Sequence, residues 1–188
     1  AKNDYAIRFA SANGHLEIVK FLLNSGADIR TDIRADNKYA VRHASAKGQF
    51  ETVKFLVNSG ADIRAENDYA VRYASENGHL EIVKFLVNSG ADIKADNNYA
   101  IENACMNGNL ETIKYLISLG AVINPINEYF IENVCDNKNC IEIIKILVNI
   151  GIDIKDDDNV TIKIASKKGY IELVKYLVSL GADIRADN

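Results

Sequence analysis

Residues 69–93 read YAVRYASENGHLEIVKFLVNSGADI, and related strings begin at Tyr5, Tyr39, Tyr99, Tyr129 and Val160. Successive starts are 34, 30, 30, 30 and 31 residues apart. A fixed period of this size is the signature of a repeat architecture. Glu17, Glu51, Glu81, Glu111, Glu142 and Glu172 form one invariant column. Further invariant columns run from Lys20 to Lys175, from Leu22 to Leu177, from Gly26 to Gly181 and from Ile29 to Ile184. All eleven glycines fall into two columns, the second being Gly14, Gly48, Gly78, Gly108 and Gly169.

Each unit reads as two short helices. The first spans roughly 69–77, with Asn67 or Asp68 placed as its N-cap, Val71 and Ala74 facing inward, and the small Ser75 allowing close approach. Gly78 ends it, since a left-handed C-terminal residue costs glycine little. The second begins near His79 and sets Leu80, Val83, Leu86 and Val87 on one face at helical spacing. Helices of about nine residues do not persist alone in water. Their apolar faces are buried only by stacking on the next copy, which predicts a mainly α, quasi-one-dimensional solenoid. The six units are expected at about 2–30, 36–64, 66–94, 96–124, 126–155 and 157–185, in one domain over 1–188.

Composition narrows the function. The chain has 188 residues, 48% hydrophobic and 26% charged, an ordinary globular balance. Its longest apolar runs fall far short of the roughly 20 residues needed to cross a bilayer, so no membrane role is expected. A net charge of -4 without a dense basic cluster gives no electrostatic footprint for nucleic acid. No charged-then-apolar leader opens the chain, and three cysteines (Cys105, Cys135, Cys140) without zinc-type spacing suit a reducing compartment. Cytoplasmic residence is the expectation.

The string NGHLEIVKFLVNSGADI (77–93) and its copies resemble the second helix and turn of ankyrin repeats, six times over and across essentially the whole chain. The resemblance implies an ankyrin-type α-solenoid of six helix-turn-helix repeats that binds proteins. Ankyrin repeats run about 33 residues and open the first helix on Thr-Pro-Leu-His. Here most periods are 30, and the opening is Tyr69-Ala70-Val71-Arg72. That combination is similar to variant arrays of giant DNA viruses, which would place the chain in a host cytoplasm. The missing residues fall between the glycine and the tyrosine, so the family's hairpin-like finger is expected to shrink to a tight turn. Only the first junction, where Thr31-Asp32-Ile33-Arg34 looks like a local duplication, is expected to project.

No catalytic constellation stands out, and no cofactor or metal is expected. An enzyme needs nucleophile, base and stabiliser converging at one site. His15 and His79 share the first column of the second helix, where the family uses histidine to bond backbone; His43 lies elsewhere with no evident partner. Cys105 and Cys135 replace Ser11, Ser45, Ser75 and Ser166 and read as small buried residues. Equivalent columns in adjacent repeats lie roughly 10 Å apart, too far for a disulfide between them. Asp156-Asp157-Asp158 lacks the glycine and later glutamate of a calcium loop. Asn159-Val160-Thr161 matches the glycosylation triplet, which is common by chance. The Glu/Lys columns, three residues apart, read as exposed ion pairs.

Columns that vary between repeats are available to a partner. Three on the first helix vary most: Arg8, Arg42, Arg72, Glu102, Glu132, Lys163; then Phe9, His43, Tyr73, Asn103, Asn133, Ile164; then Ala12, Ala46, Glu76, Met106, Asp136, Lys167. By the resemblance, first helices and fingers line the concave docking face. The expected contact set is therefore Arg8, Phe9, Arg42, His43, Arg72, Tyr73, Glu76, Glu102, Asn103, Met106, Glu132 and Asn133. Arginine beside an aromatic residue resembles an interface anchor. The rival reading is internal, with Arg72 pairing to Glu102. Repeats five and six are irregular: Lys138 is inserted, Asn139 stands where glycine is expected, Val160 replaces tyrosine, and Pro125 is the one proline, which together suggest a kink. Neither end looks capped, which predicts either a longer array or end-to-end association of an otherwise monomeric binder. A recruiting module of a larger protein and a self-assembling element are the alternative functions.

Overall fold

The computed structural model describes residues 5–26, 37–123, 127–154 and 159–184, with backbone alone at 37–38. Thr31–Arg34, Pro125 and Asp156–Asp158, on which the projecting finger, the kink and the calcium-loop reading depended, lie outside them. Among the described residues there are twelve helices and no strand. They are α1 (Tyr5–Ala12), α2 (Leu16–Asn24), α3 (Asn37–Ala46), α4 (Phe50–Asn58), α5 (Ala65–Glu76), α6 (Leu80–Asn88), α7 (Ala95–Met106), α8 (Leu110–Ser118), α9 (Glu128–Asp136), α10 (Cys140–Asn149), α11 (Val160–Lys168) and α12 (Ile171–Ser179). Odd-numbered helices are the first of each repeat and even-numbered ones the second.

The chain forms two compact units, Ala1–Ala104 with Glu111–Val122, and Cys105–Leu110 with Ile123–Asn188. In the first unit α1 packs on α3 and α3 on α5, while α2 packs on α4 and α4 on α6. In the second, α9 packs on α10 and α11, and α11 on α12. The core follows the repeat register. Val41, Val71 and Ile101 are fully buried in the first helices, as are Ala44, Ala74 and Ala104 one turn on. Val53, Val83 and Ile113, with Leu56, Leu86 and Leu116, fill the same role in the second helices. Leu80 and Val87 are only half-buried. Thr52, Ile82 and Thr112, a column of the second helices not singled out by the helical spacing, are buried as well.

The turn between the two helices needs glycine for two reasons. Gly48 has φ +76°, a conformation other L-residues resist. A Cβ there would also lie 2.7 Å from His79 Cε1 in the next repeat. His79 Nε2 donates to Ala46 O at 3.1 Å, the backbone-bonding role expected of it. In repeat five the inserted Lys138 lets the chain take another path. Asn137 is extended (φ -100°, ψ 156°), and Asn139 has φ -97°, so neither needs the left-handed position. Asn137 and Asn139 then do the histidine's work: Asn139 Nδ2 donates to Gly108 O at 2.8 Å, and Asn137 Nδ2 reaches Cys105 O and Met106 O, each at 3.4 Å.

The links differ from the expected N-caps. Glu66, Asn67 and Asp68 are all left-handed (φ 53°, 56° and 58°), as are Asp96, Asn97 and Asn98. Asn67 and Asp68 therefore do not cap α5. The link is too short for a hairpin, so one left-handed turn brings the chain back to the next tyrosine. Asn and Asp tolerate this conformation better than most residues. Asp68 is buried, accepts from Asp92 N at 2.8 Å and lies 3.5 Å from Arg64 Nε. An Asx cap does form at α9, where Asn127 Oδ1 accepts from Phe130 N at 2.8 Å.

Candidate functional site

The column expected to present arginines to a partner instead forms a cross-tie inside the first unit. Arg8 lies over Tyr39 at 4.0 Å and over Tyr5 at 5.1 Å. Arg42 is held between Tyr39 (4.4 Å) and Tyr69 (4.1 Å). Arg72 lies over Tyr99 at 4.4 Å and more loosely by Tyr73 at 6.0 Å. Each guanidinium thus joins the tyrosine that opens the following repeat. The left-handed turn before that tyrosine supplies the counter-charge: Arg42 Nη1 lies 2.5 Å from Glu66 Oε2, and Arg72 Nη2 pairs with Asp96. Arg72 Nη1 also donates to the carbonyls of Glu66 and Asn67, both at 3.2 Å.

This arrangement corrects the expectation of an exposed arginine surface. Arg42 is 4% exposed and Arg72 7%. A planar guanidinium sheds hydration more readily than an ammonium and stacks on aromatic faces, so it can be buried where a lysine would resist. Both Arg42 and Arg72 are withdrawn from the contact set as side chains available to a docking partner. Arg72 takes an internal partner, as the rival reading held in kind, through its pair with Asp96.

The other members of the set in the first unit sit around this tie. Phe9 is 65% exposed and stacks on Tyr5 at 6.4 Å. His43 is half-buried, with Nδ1 donating to Tyr39 O at 3.0 Å. Tyr73, also half-buried, stacks on Tyr69 at 3.8 Å and tilts against Tyr99 at 5.5 Å. Glu76 Oε2 accepts from the Tyr99 hydroxyl at 2.8 Å, and Asn103 Nδ2 donates to Tyr99 O at 3.1 Å. Glu102 is half-buried. Burial pushes the Tyr69 and Tyr99 phenols above their usual range; Tyr73 reinforces this at both, Glu76 at Tyr99, and Arg42 opposes it at Tyr69.

In the second unit, Met106, Glu132 and Asn133 are half-buried, and Asn133 Nδ2 donates to Tyr129 O at 2.7 Å. Tyr129 is broadly exposed, a candidate that sequence reasoning passed over because its column looked structural. Lys168 Nζ pairs with Asp136 and donates to Glu132 O at 3.1 Å, tying α11 to α9. That pairing raises the Lys168 pKa, with Asp136 as the main cause.

The cysteines also depart from expectation. Cys135 and Cys140 are buried with their sulfurs 3.2 Å apart, the Cys140 thiol donating to Cys135. Spacing between repeats said nothing of this pair, because both cysteines belong to repeat five and the Lys138 insertion brings them together across the turn. The hydrogen bond from Cys140 lowers the Cys135 pKa, burial opposes it, and Lys168 assists. The Cys140 thiol is pushed up by the same contact and by burial. No cluster of three or more metal-ligating side chains occurs among the described residues, and no described helix is long and apolar enough to cross a membrane.

Exposed Glu/Lys pairs run along the second helices, as at Lys20–Glu17 (2.6 Å), Lys84–Glu81 (2.9 Å) and Lys175–Glu172 (2.8 Å). Each is worth a few tenths of a kcal/mol, roughly 0.3–0.5.

A sequence model of ankyrin repeats matches the chain in three copies, over residues 2–67, 43–127 and 103–188. The chain belongs to the ankyrin-repeat family, whose members are protein–protein interaction modules. Its fold is similar to the crystal structure of an ankyrin repeat domain from Acinetobacter baumannii AYE, with a TM-score of 0.71 and 25% sequence identity. That match covers 96% of this chain and all of the other.

Proposed function

We infer that the chain is a protein-binding scaffold whose partner docks on the first-helix face, the concave face in ankyrin terms. One observation carries this reading: beside the buried arginines, the column Phe9, His43, Tyr73 and Asn103 changes its chemistry over the first four repeats while remaining partly or largely open to solvent. His43, Tyr73 and Asn103 also contact the tyrosines of the tie, and the part of each side chain left open to solvent differs from repeat to repeat, which a partner can read. Phe9 supplies an aromatic anchor, and Glu76 and Glu102 supply acceptor charge in the first unit. Met106, Glu132 and Asn133 extend the same columns in the second. The thirty-residue period and the Tyr-Ala-Val-Arg opening support placing the chain among the viral variant arrays, acting in a host cytoplasm.

The test compares three immobilised proteins in capture from a host lysate, read by mass spectrometry. They are the wild type, a first-helix variant (Phe9→Ala, His43→Ala, Glu102→Ala, Asn133→Ala) and a second-helix variant (Glu17→Ala, Glu81→Ala, Glu111→Ala). Partners retained by the second-helix variant and lost by the first support the reading. A partner set unchanged in the first-helix variant refutes it.

A specific observation favours end-to-end association as a second reading. Ile184 is 69% exposed, whereas Ile93, Ile123 and Ile154 in its column are buried. Phe21 is likewise 69% exposed, while Phe55 and Phe85 are half-buried. Ile184 and Phe21 are both large apolar side chains open to solvent among the described residues, which a second copy of the chain would cover. Ile184→Glu should abolish any concentration-dependent rise in mass by light scattering; a wild type that stays monomeric at high concentration removes this reading.

A further inference from the structure

We propose that Cys135 and Cys140 form a peroxide-oxidised dithiol that closes to a disulfide across the turn of repeat five. The sulfurs are already 3.2 Å apart, and a disulfide requires roughly 2.05 Å, a closure within reach of small side-chain rotations. Nothing in the stacking of the repeats asks for the pair. Cys135 takes the place of the small serines Ser11, Ser45 and Ser75, which a serine would fill equally well. Cys140 stands in the column of His15, Gln49 and His79, yet the bonds that His79 makes to the preceding repeat are made here by Asn137 and Asn139. The two cysteines and the inserted Lys138 occur together in one repeat alone.

The surroundings suit thiolate chemistry. Lys168, paired with Asp136 and donating to Glu132 O, lies near the pair, and the Cys140 thiol donates to Cys135, which favours the thiolate on Cys135 over one on Cys140 even against burial and the Asp136 charge. A lowered pKa raises the population of the reactive thiolate at neutral pH. Cys140, 6% exposed, lines an open cleft of about 430 Å³ between Asp136–Ile141 and Gly169–Glu172. Cys135 is fully buried and lies behind Cys140, outside the cleft lining, so hydrogen peroxide entering from that side reaches the Cys135 sulfur past Cys140.

The reaction balances. The Cys135 thiolate attacks one peroxide oxygen, the O–O bond breaks, and the departing hydroxide takes a proton to become water, leaving a sulfenic acid. The Cys140 sulfur then attacks the Cys135 sulfur, the S–O bond breaks, and the thiol proton leaves with the hydroxyl as a second water. Two thiols lose two electrons and two protons, and the peroxide is reduced to two waters.

The experiment uses the full chain treated with hydrogen peroxide. Trypsin cuts after Lys114, Lys138 and Lys145, so Cys135 and Cys140 fall on separate peptides, 115–138 and 139–145. The expected result is loss of two of the three thiols, a mass lower by about 2 Da, and the two peptides joined, all reversed by dithiothreitol. Cys105→Ser should leave this outcome unchanged. In Cys140→Ser the product should stop at a sulfenic acid on Cys135, trapped by dimedone. The wild-type measurement stands whether or not that variant folds. Sulfinic acid on either residue without a joined peptide would overturn the proposal. So would linkage to Cys105, or full retention of thiols at peroxide levels that oxidise glutathione.

Discussion

Replacing Arg42 by alanine tests whether the arginine column holds repeats together or awaits a partner. The guanidinium lies 4.4 and 4.1 Å from two ring centroids and is 4% exposed, so each contact is worth roughly 1 kcal/mol. The pair with half-exposed Glu66 adds about 0.5 kcal/mol after screening. Loss of the buried aliphatic stem costs about 1 kcal/mol more. Glu66 can rehydrate once released, so the substitution should destabilise by roughly 2–4 kcal/mol. For a chain of this size that lowers Tm by on the order of 8 °C. Thermal and urea unfolding followed by far-ultraviolet circular dichroism measure it, with Phe9→Ala as the exposed control expected to stay within about 0.5 kcal/mol. Combining Arg42→Ala with Tyr69→Leu should give less than the sum of the single effects, because both remove one contact. An Arg42→Ala protein as stable as the control, or strict additivity with Tyr69→Leu, would refute the cross-tie.

Other outcomes follow from the same geometry. Gly48→Ala must adopt φ +76° and meets the His79 ring at 2.7 Å; a loss of roughly 1–3 kcal/mol is expected, part of it relieved in the Gly48→Ala/His79→Ala double variant by urea titration. His79→Ala alone leaves Ala46 O without its donor and should cost roughly 1–2 kcal/mol, with His79→Gln closer to wild type. Tyr69 and Tyr99 keep their protons in the folded state to higher pH than their ordinary 10.0. The folded protein therefore binds protons that the unfolded chain has released. The stabilisation is fully present below about pH 10 and is lost as pH rises through and beyond it, so the urea midpoint should fall there. Phenolate absorbance should lag behind that of the unfolded chain; simultaneous titration of all tyrosines near the ordinary value would contradict this.

The repeat and its core were legible because periodicity encodes them directly. Val71, Ala74 and Ser75 face inward as read, and the glycine columns mark helix ends as read. The arginine column was misread because helical periodicity gives the angle of a residue around its own axis and says nothing of what the neighbouring repeat sets against it. A signal was nonetheless present. Arg8, Arg42 and Arg72 are each followed one repeat later by Tyr39, Tyr69 and Tyr99, a pairing across repeats that no single repeat displays. The left-handed links were less visible, since Asn67-Asp68 suits an N-cap as well as a positive φ, and only the shortness of the connection selects between them. The thiol pair escaped because columns were compared between repeats, whereas an insertion changes distances within one.

The left-handed links have a consequence for how the molecule can be altered. Where a longer finger would accept almost any residue at its tip, Glu66–Asp68 and Asp96–Asn98 each place three consecutive residues in backbone territory that β-branched side chains enter only at considerable cost. Diversity introduced there would be filtered by conformation before recognition came into play. Binders drawn from this framework would have to take their variety from the helix surface and leave the connecting turns as they are.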